Sequence, residues 1–185
     1  MVETHERIQV KITGTRPLLM HAIPKDFGQK KTGRGVQPDP KTDAESAMYR
    51  DREGKIAIPS LNLLSCLRKA AGDYKIPGKS RKTFRDLIFS GIQITSVYIP
   101  LDCNGTDPEK AWEIDLMPVN IQRAKILRAR PRFDEWSMEF EIEIVDPLVQ
   151  PEVLKEMLES AGRFIGLCDY RPLFGLFRVE EFEVI

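Results

Sequence analysis

Cysteine, histidine and long apolar runs are all scarce in this chain of 185 residues. Its three cysteines, Cys66, Cys103 and Cys168, form no CxxC pair, which argues against a disulfide framework and against a zinc site. No apolar run approaches the ~20 residues that a membrane-spanning helix needs. The polar first residues lack the apolar core of a secretory signal peptide. We therefore expect a protein of the reducing cytoplasm with no membrane contact.

Catalytic and cofactor-binding fingerprints are missing as well. The sequence contains no Gly-x-Ser-x-Gly, no His-Glu-x-x-His and no nucleotide-binding glycine motif. We expect no cofactor and no metal, and a binding module is favoured over an enzyme. Hydrophobic residues make up 42% and charged residues 30%, which is typical of an ordinary globular domain.

The net charge is zero, but the charges are segregated along the chain. Residues 68–85 hold seven basic residues and one acid, and residues 123–132 hold five basic residues and no acid. Residues 134–159 hold nine acids and one base. Basic segments of this kind are typical of nucleic-acid-binding surfaces. Alternatively, the basic and acidic segments pair with each other, and the sequence leaves both interpretations open.

The first half of the chain shows one strand pattern and one helix pattern. Residues 7–13 alternate apolar and polar side chains, which predicts a half-buried strand. Residues 55–72 contain a helix that Ser60 is expected to cap and Gly72 to end. Between them, residues 24–43 are rich in glycine, proline and basic side chains, which predicts a mobile, functional loop. Cys66 inside the helix is expected to be a small buried hydrophobe.

The second half is predicted to be mainly strands. Residues 91–100 form one strand, and residues 119–130 and 136–145 form a hairpin, in which Arg128 faces Glu139 and is partly neutralised. Residues 151–161 form a second helix that Gly162 ends. Residues 177–184 form the last strand, with a bulge near residues 180–181 because Phe182 breaks the alternation.

The order of these elements predicts an α+β fold. It matches the βαββαβ pattern of ferredoxin-like and RRM-like domains with an extra strand or hairpin. We expect residues 1–185 to form a single domain that carries a basic, flexible, thumb-like insertion at about 24–47.

A glycine-rich segment, residues 162–175, joins the second helix to the last strand. Its glycines allow backbone amides to approach an anion closely. Arg163 and Arg171 can reach phosphates, and Phe164 and Tyr170 can stack on bases. No Gly-Lys-Ser/Thr follows, so the segment is not a P-loop.

These residues resemble the RAMP superfamily of CRISPR-associated proteins, especially its backbone subunits. The likeness lies in residues 51–60, with Ile58-Pro59-Ser60 leading into the helix, in the glycine-rich loop before the final strand, and in the long basic insertion. Ser65 stands where the family often has glycine. The resemblance implies a subunit that binds single-stranded guide RNA, stacks head to tail with copies of itself, and joins other effector-complex subunits.

The predicted nucleic-acid-binding residues carry positive charge, an aromatic ring or a hydroxyl group. They are Lys30, Lys31, Arg34, Ser60, Arg68, Lys69, Lys79, Arg81, Lys82, Arg163, Tyr170 and Arg171.

Two alternatives remain open. RNA-cleaving members of the superfamily often use a histidine near the start of the chain, so His21 is a candidate general base for an endoribonuclease, or else a loop histidine without a chemical role. Target-cutting members place an acid where Glu45 or Asp43 stands, which would hold a metal; the same residues also fit a helical turn with solvated acids. The second alternative is a stand-alone mobile-element protein that binds or anneals single-stranded DNA.

Overall fold

The computed structural model describes residues 6–23, 39–121 and 124–185. The strands within these ranges are β1 (Arg7–Gly14), β2 (Leu18–Leu19), β3 (Ala57–Pro59), β4 (Ile92–Ile94), β5 (Tyr98–Pro100), β6 (Trp112–Ile121), β7 (Ala124–Phe133), β8 (Ser137–Ile144) and β9 (Phe177–Val184). The helices are α1 (Pro40–Ser46), α2 (Ser60–Ala70), α3 (Ile88–Gly91) and α4 (Pro151–Phe164).

The main sheet is antiparallel and has the strand order β4-β8-β1-β9. Ile8, Val10 and Ile12 of β1 are completely buried, and their partners in β8 are likewise apolar and buried. Helices α2 and α4 pack against each other, and the buried Cys66 thiol of α2 lies 3.7 Å from the carbonyl oxygen of Ala161 in α4. The protein is therefore an α+β fold, as predicted, with its core between the helices and one face of this sheet.

The strand at the end of the chain also agrees with its prediction. β9 pairs with β1, and the register shifts between Lys11, which faces Glu181, and Ile12, which faces Val179. Glu180 is thus the extra residue of the predicted β-bulge. The bulge allows Val179 and Phe182 to point to the same face although two residues, an even number, lie between them.

The predicted hairpin partner was wrong. β7 pairs with β6 over ten residue pairs, whereas β8 lies in the main sheet between β1 and β4. Glu139 consequently faces Lys11, with 3.0 Å between the carboxylate and the ammonium group. Arg128 faces Met117, so Glu139 does not neutralise it. The buried alternating face of β8 needs apolar neighbours on both sides, and only the main sheet supplies them.

The start of α2 differs from its prediction. Pro59 occupies the N-cap position, and Ser60 is the first helical residue, with no capping hydrogen bond from its side chain. The backbone N–H of Ser60 instead donates to the carbonyl oxygen of Val97 at 2.9 Å. At the other end, Ala71 is the C-cap, so Gly72 occupies the predicted C′ position, within a 3-10 turn, Ala71–Asp73.

Two further boundaries also differ. The predicted strand 91–100 divides into β4, which joins the main sheet, and β5, which pairs with β3. Gly162 does not end α4, because the helix continues to Phe164. A Cβ atom at Gly162 would lie 2.4 Å from the carbonyl oxygen of Phe177, so this glycine permits close helix–strand packing. None of the helices in the described ranges has the length and apolar character that crossing a membrane requires.

The predicted insertion at 24–47 is only partly described. Residues 24–38, which include Lys30, Lys31 and Arg34, lie outside the described residues. The loop prediction extended too far, because α1 already begins at Pro40. The Asp39 carboxylate accepts from the Thr42 N–H at 3.3 Å, and a proline at the first position suits a helix start.

Candidate nucleic-acid interface

A carboxylate of helix α1 accepts a hydrogen bond from the edge of strand β7. Strand β2 covers the edge of β7 only at Phe133 and Arg132, so the backbone of Ala129 needs another partner. Asp43 supplies it, since its Oδ2 accepts from the Ala129 N–H at 3.2 Å. The interpretation of solvated acids therefore fails for the half-buried Asp43, whereas Glu45 is exposed.

His21 is held by two hydrogen bonds at the same junction. Its carbonyl oxygen accepts from the Tyr49 hydroxyl at 3.2 Å, and its Nε2 lies 2.8 Å from Nη1 of Arg128. A guanidinium can only donate, so Nε2 accepts and Nδ1 carries the proton. Burial, followed by the charge of Arg128, lowers the pKa of His21. The imidazole is neutral, and its only lone pair is engaged by Arg128, so acting as a general base would require that bond to break.

The lowered pKa of His21 predicts acid sensitivity. Below the ordinary pKa of 6.5, the unfolded state binds more protons at this residue than the folded state does. The free energy of unfolding should therefore fall as the pH drops from 6.5 towards the lowered pKa. His21→Gln keeps an acceptor for Arg128 but does not titrate, so its stability should depend less on pH in that window. Urea unfolding at several pH values checks this, and equal slopes for both proteins would contradict it.

Arg130 is a buried arginine that sequence reasoning did not single out. Its side chain is only 5% exposed; its Nε lies 2.5 Å from Oδ2 of Asp169, and its guanidinium lies 5.3 Å from the centre of the Tyr170 ring. The Asp169 N–H donates to the carbonyl oxygen of Leu19 at 2.9 Å. Arg130 thus joins β7 to the glycine-rich loop. The available signal was the alternation of three arginines, at 128, 130 and 132, on one face of a strand.

The glycine-rich loop, residues 165–176, folds tightly upon itself. Gly166 and Gly175 have φ of 81° and 73°, and the Leu167 N–H donates to the carbonyl oxygen of Gly175 at 2.8 Å. The loop meets the first turn of α2, where the Asn62 amide lies 3.9 Å from the Cys168 sulfur. This packing leaves Arg171 exposed and Tyr170 39% exposed.

The basic residues 68–85 lie towards the other end of α2. Arg68 sits over the Phe89 ring at 5.1 Å, and Lys69, Lys79, Arg81 and Lys82 are exposed. None of the seven basic side chains in this segment forms an ion pair with a described residue. Pairing between basic and acidic segments therefore does not account for them. The glycine-rich loop and this segment contact opposite ends of α2 and form two basic areas.

The outward face of the main sheet has the opposite charge. β8 presents Glu139, Glu141 and Glu143, and β9 presents Glu181 and Glu183. Arg7 and Lys11 offset part of this charge through ion pairs with Glu141 and Glu139. The outward positions of β1, β8 and β9 hold no aromatic residue, whereas an RRM stacks bases on such rings. The outward sheet face therefore lacks both the net positive charge and the aromatic rings with which an RRM binds RNA.

Two adjoining depressions lie between α1, α2 and β7. The larger, of about 800 Å³, is lined by Ile23, Tyr49, Leu61, Asn62 and Tyr98, among others. The smaller, of about 220 Å³, is lined by residues that include His21, Asp43 and Arg128. Both share Ala22, Ile23 and Ser46. Within the described ranges, no three His, Cys, Asp or Glu side chains are grouped so that they could hold a metal ion.

Neither a protein-family model nor a curated protein sequence matches this chain.

Proposed function

We propose that this protein binds single-stranded RNA on a surface that we call the loop surface, which consists of Tyr170 and Arg171 in the glycine-rich loop and of Arg163 and Phe164 in the last turn of α4, just before that loop. The observation that carries the proposal is the exposure of two arginines without a carboxylate partner among the described residues, beside exposed aromatic rings. Phe164 is 66% exposed and stacks with Arg163 at 5.8 Å. Cations attract phosphates and rings stack on bases of any identity, which together give affinity for single strands.

The topology supports an RNA-binding fold of the ferredoxin-like or RRM-like kind. Along the chain, β1, α2, β4, β8, α4 and β9 follow in the order βαββαβ, and the sheet order β4-β8-β1-β9 places the first and last of these strands side by side. The β6–β7 hairpin is the inserted element. The acidic sheet face argues that this protein uses the fold differently from an RRM, with the RNA held by loops and helix ends.

The resemblance to RAMP backbone subunits extends the proposal. On that basis the RNA is a guide RNA in the cytoplasm, and several copies assemble head to tail along it with other effector-complex subunits. Exposed cations at both ends of α2 fit a strand that follows the helix from one basic area to the other.

Arg171→Gln is expected to weaken RNA binding about tenfold, because a charge-assisted contact to phosphate is worth roughly 1–3 kcal/mol. The matched control is Arg7→Gln, which removes an exposed arginine from the acidic sheet face. It should leave the affinity within about twofold, as for an ordinary surface substitution. Fluorescence anisotropy with a labelled, unstructured RNA measures both variants, and thermal unfolding confirms that both are folded.

Salt and competitor controls complete that experiment. Affinity for RNA should fall at least tenfold between about 50 and 200 mM salt, as expected for several phosphate contacts. Equal loss in Arg171→Gln and Arg7→Gln, or binding that is insensitive to salt, would refute the loop surface. Competition with single-stranded DNA tests the mobile-element alternative, and gel analysis of the RNA after incubation tests the endoribonuclease.

A further inference from the structure

The smaller depression is lined by an acidic and a basic side chain that do not form an ion pair with each other. Asp43 and Arg128 both line its 220 Å³, yet no ion pair forms between them. A water molecule occupies about 30 Å³ in the liquid, so the cavity is several times larger than one water molecule. It has room for one heterocycle. The remaining walls include the small or apolar side chains of Ala22, Ile23 and Ala47.

Each charged group has hydrogen-bonding capacity left. Oδ2 of Asp43 accepts from Ala129, whereas its Oδ1 makes no hydrogen bond to a described residue. Arg128 donates one N–H to His21 and retains further donors on its guanidinium. The cavity therefore presents an anionic acceptor and a cationic donor within one small space. A phosphate would meet repulsion from Asp43, so a neutral ligand with donors beside acceptors fits better.

We propose that this cavity binds the edge of a guanine base. Guanine carries two adjacent donors, N1–H and the N2 amine, which a carboxylate can accept together, and its O6 and N7 are acceptors that suit an arginine. Adenine and cytosine each offer Asp43 only one amine group. The inference rests on the proposed function. The loop surface would bind RNA largely independently of sequence, and the cavity would add a preference for guanosine.

Oligonucleotides that differ at one base test the proposal. Wild-type protein should bind a uridine decamer with one central guanosine about tenfold more tightly than the decamer with adenosine at that position, since a bidentate contact of this kind discriminates between bases. Inosine, which lacks the N2 amine, should give an intermediate affinity. Asp43→Asn should abolish the preference while keeping the affinity for all-uridine RNA. An asparagine oxygen still accepts from Ala129, so the edge of β7 stays covered.

The matched control is Glu53→Gln, which removes a carboxylate from an exposed turn outside both depressions and should keep the guanosine preference. Equal binding of the guanosine, inosine and adenosine decamers would overturn the guanine site and leave RNA binding intact. If no RNA binds, the proposed function fails, and titration with GMP and AMP then decides the cavity. Saturable binding of GMP but not AMP, lost in Asp43→Asn, supports the site; no GMP binding refutes it.

Discussion

Asp169→Ala should lower the free energy of unfolding by about 3 kcal/mol, because it leaves the buried Arg130 guanidinium without its counter-charge. The Arg130 side chain is 5% exposed and that of Asp169 is 30% exposed, so the expected loss lies at the lower end of the range for buried pairs. The same substitution removes the ion pair between the loop and β7, and RNA affinity should fall because the Arg130 guanidinium that lies against the Tyr170 ring loses its anchor. Urea unfolding measures the first effect and fluorescence anisotropy the second.

The ion pair between Arg132, near the end of β7, and Asp134, just after it, provides the control. Arg132 and Asp134 lie 2.6 Å apart, but their side chains are 36% and 52% exposed. Asp134→Ala should therefore cost less than about 1 kcal/mol, as for solvated pairs generally. Arg130→Met removes the buried charge itself and fills much of its space, so it should cost less than Asp169→Ala. If the Asp169 and Asp134 variants lost similar amounts of unfolding free energy, the burial of Arg130 would not increase the contribution of its ion pair to stability.

Local sequence patterns correctly predicted those strands and turns whose geometry is determined by a few consecutive residues. The alternation in β8 and β1 and the irregularity at Phe182 each gave the correct strand or bulge, because side-chain periodicity follows directly from strand geometry. The partner of β7 was not predicted. Two strand patterns separated by a short polar stretch favour a hairpin, and only the core of the whole domain selects β6 instead.

The candidate site was predictable in its exposed parts and not in its buried ones. Arg171 and Tyr170 were proposed because cations and aromatic rings in a glycine-rich loop are typical of nucleic-acid-binding surfaces, and the structure shows that both residues are exposed. Arg130 is anchored by Asp169, which lies 39 residues away in the sequence. Asp43 accepts from the Ala129 N–H in β7, which lies in a distant part of the chain. Such contacts exist only after the chain has folded, so single-sequence patterns carry little information about them.

Gly175→Ala is expected to destabilise the protein by about 3 kcal/mol, the upper end of the range for an overpacked position, and to abolish binding on the loop surface. Gly175 has a φ of 73°, and a Cβ atom there would lie 2.0 Å from the carbonyl oxygen of Leu167, which belongs to the backbone and cannot move aside alone. Gly105→Ala separates the two causes, because Gly105 has a φ of 76° with nothing within 4 Å of its Cβ position. That control carries only the cost of the left-handed conformation, about 1 kcal/mol. Equal thermal stabilities for the two variants would mean that the loop relaxes around the added methyl group. RNA affinity would then show whether the close contact between Leu167 and Gly175 is needed to hold Tyr170 and Arg171 in place.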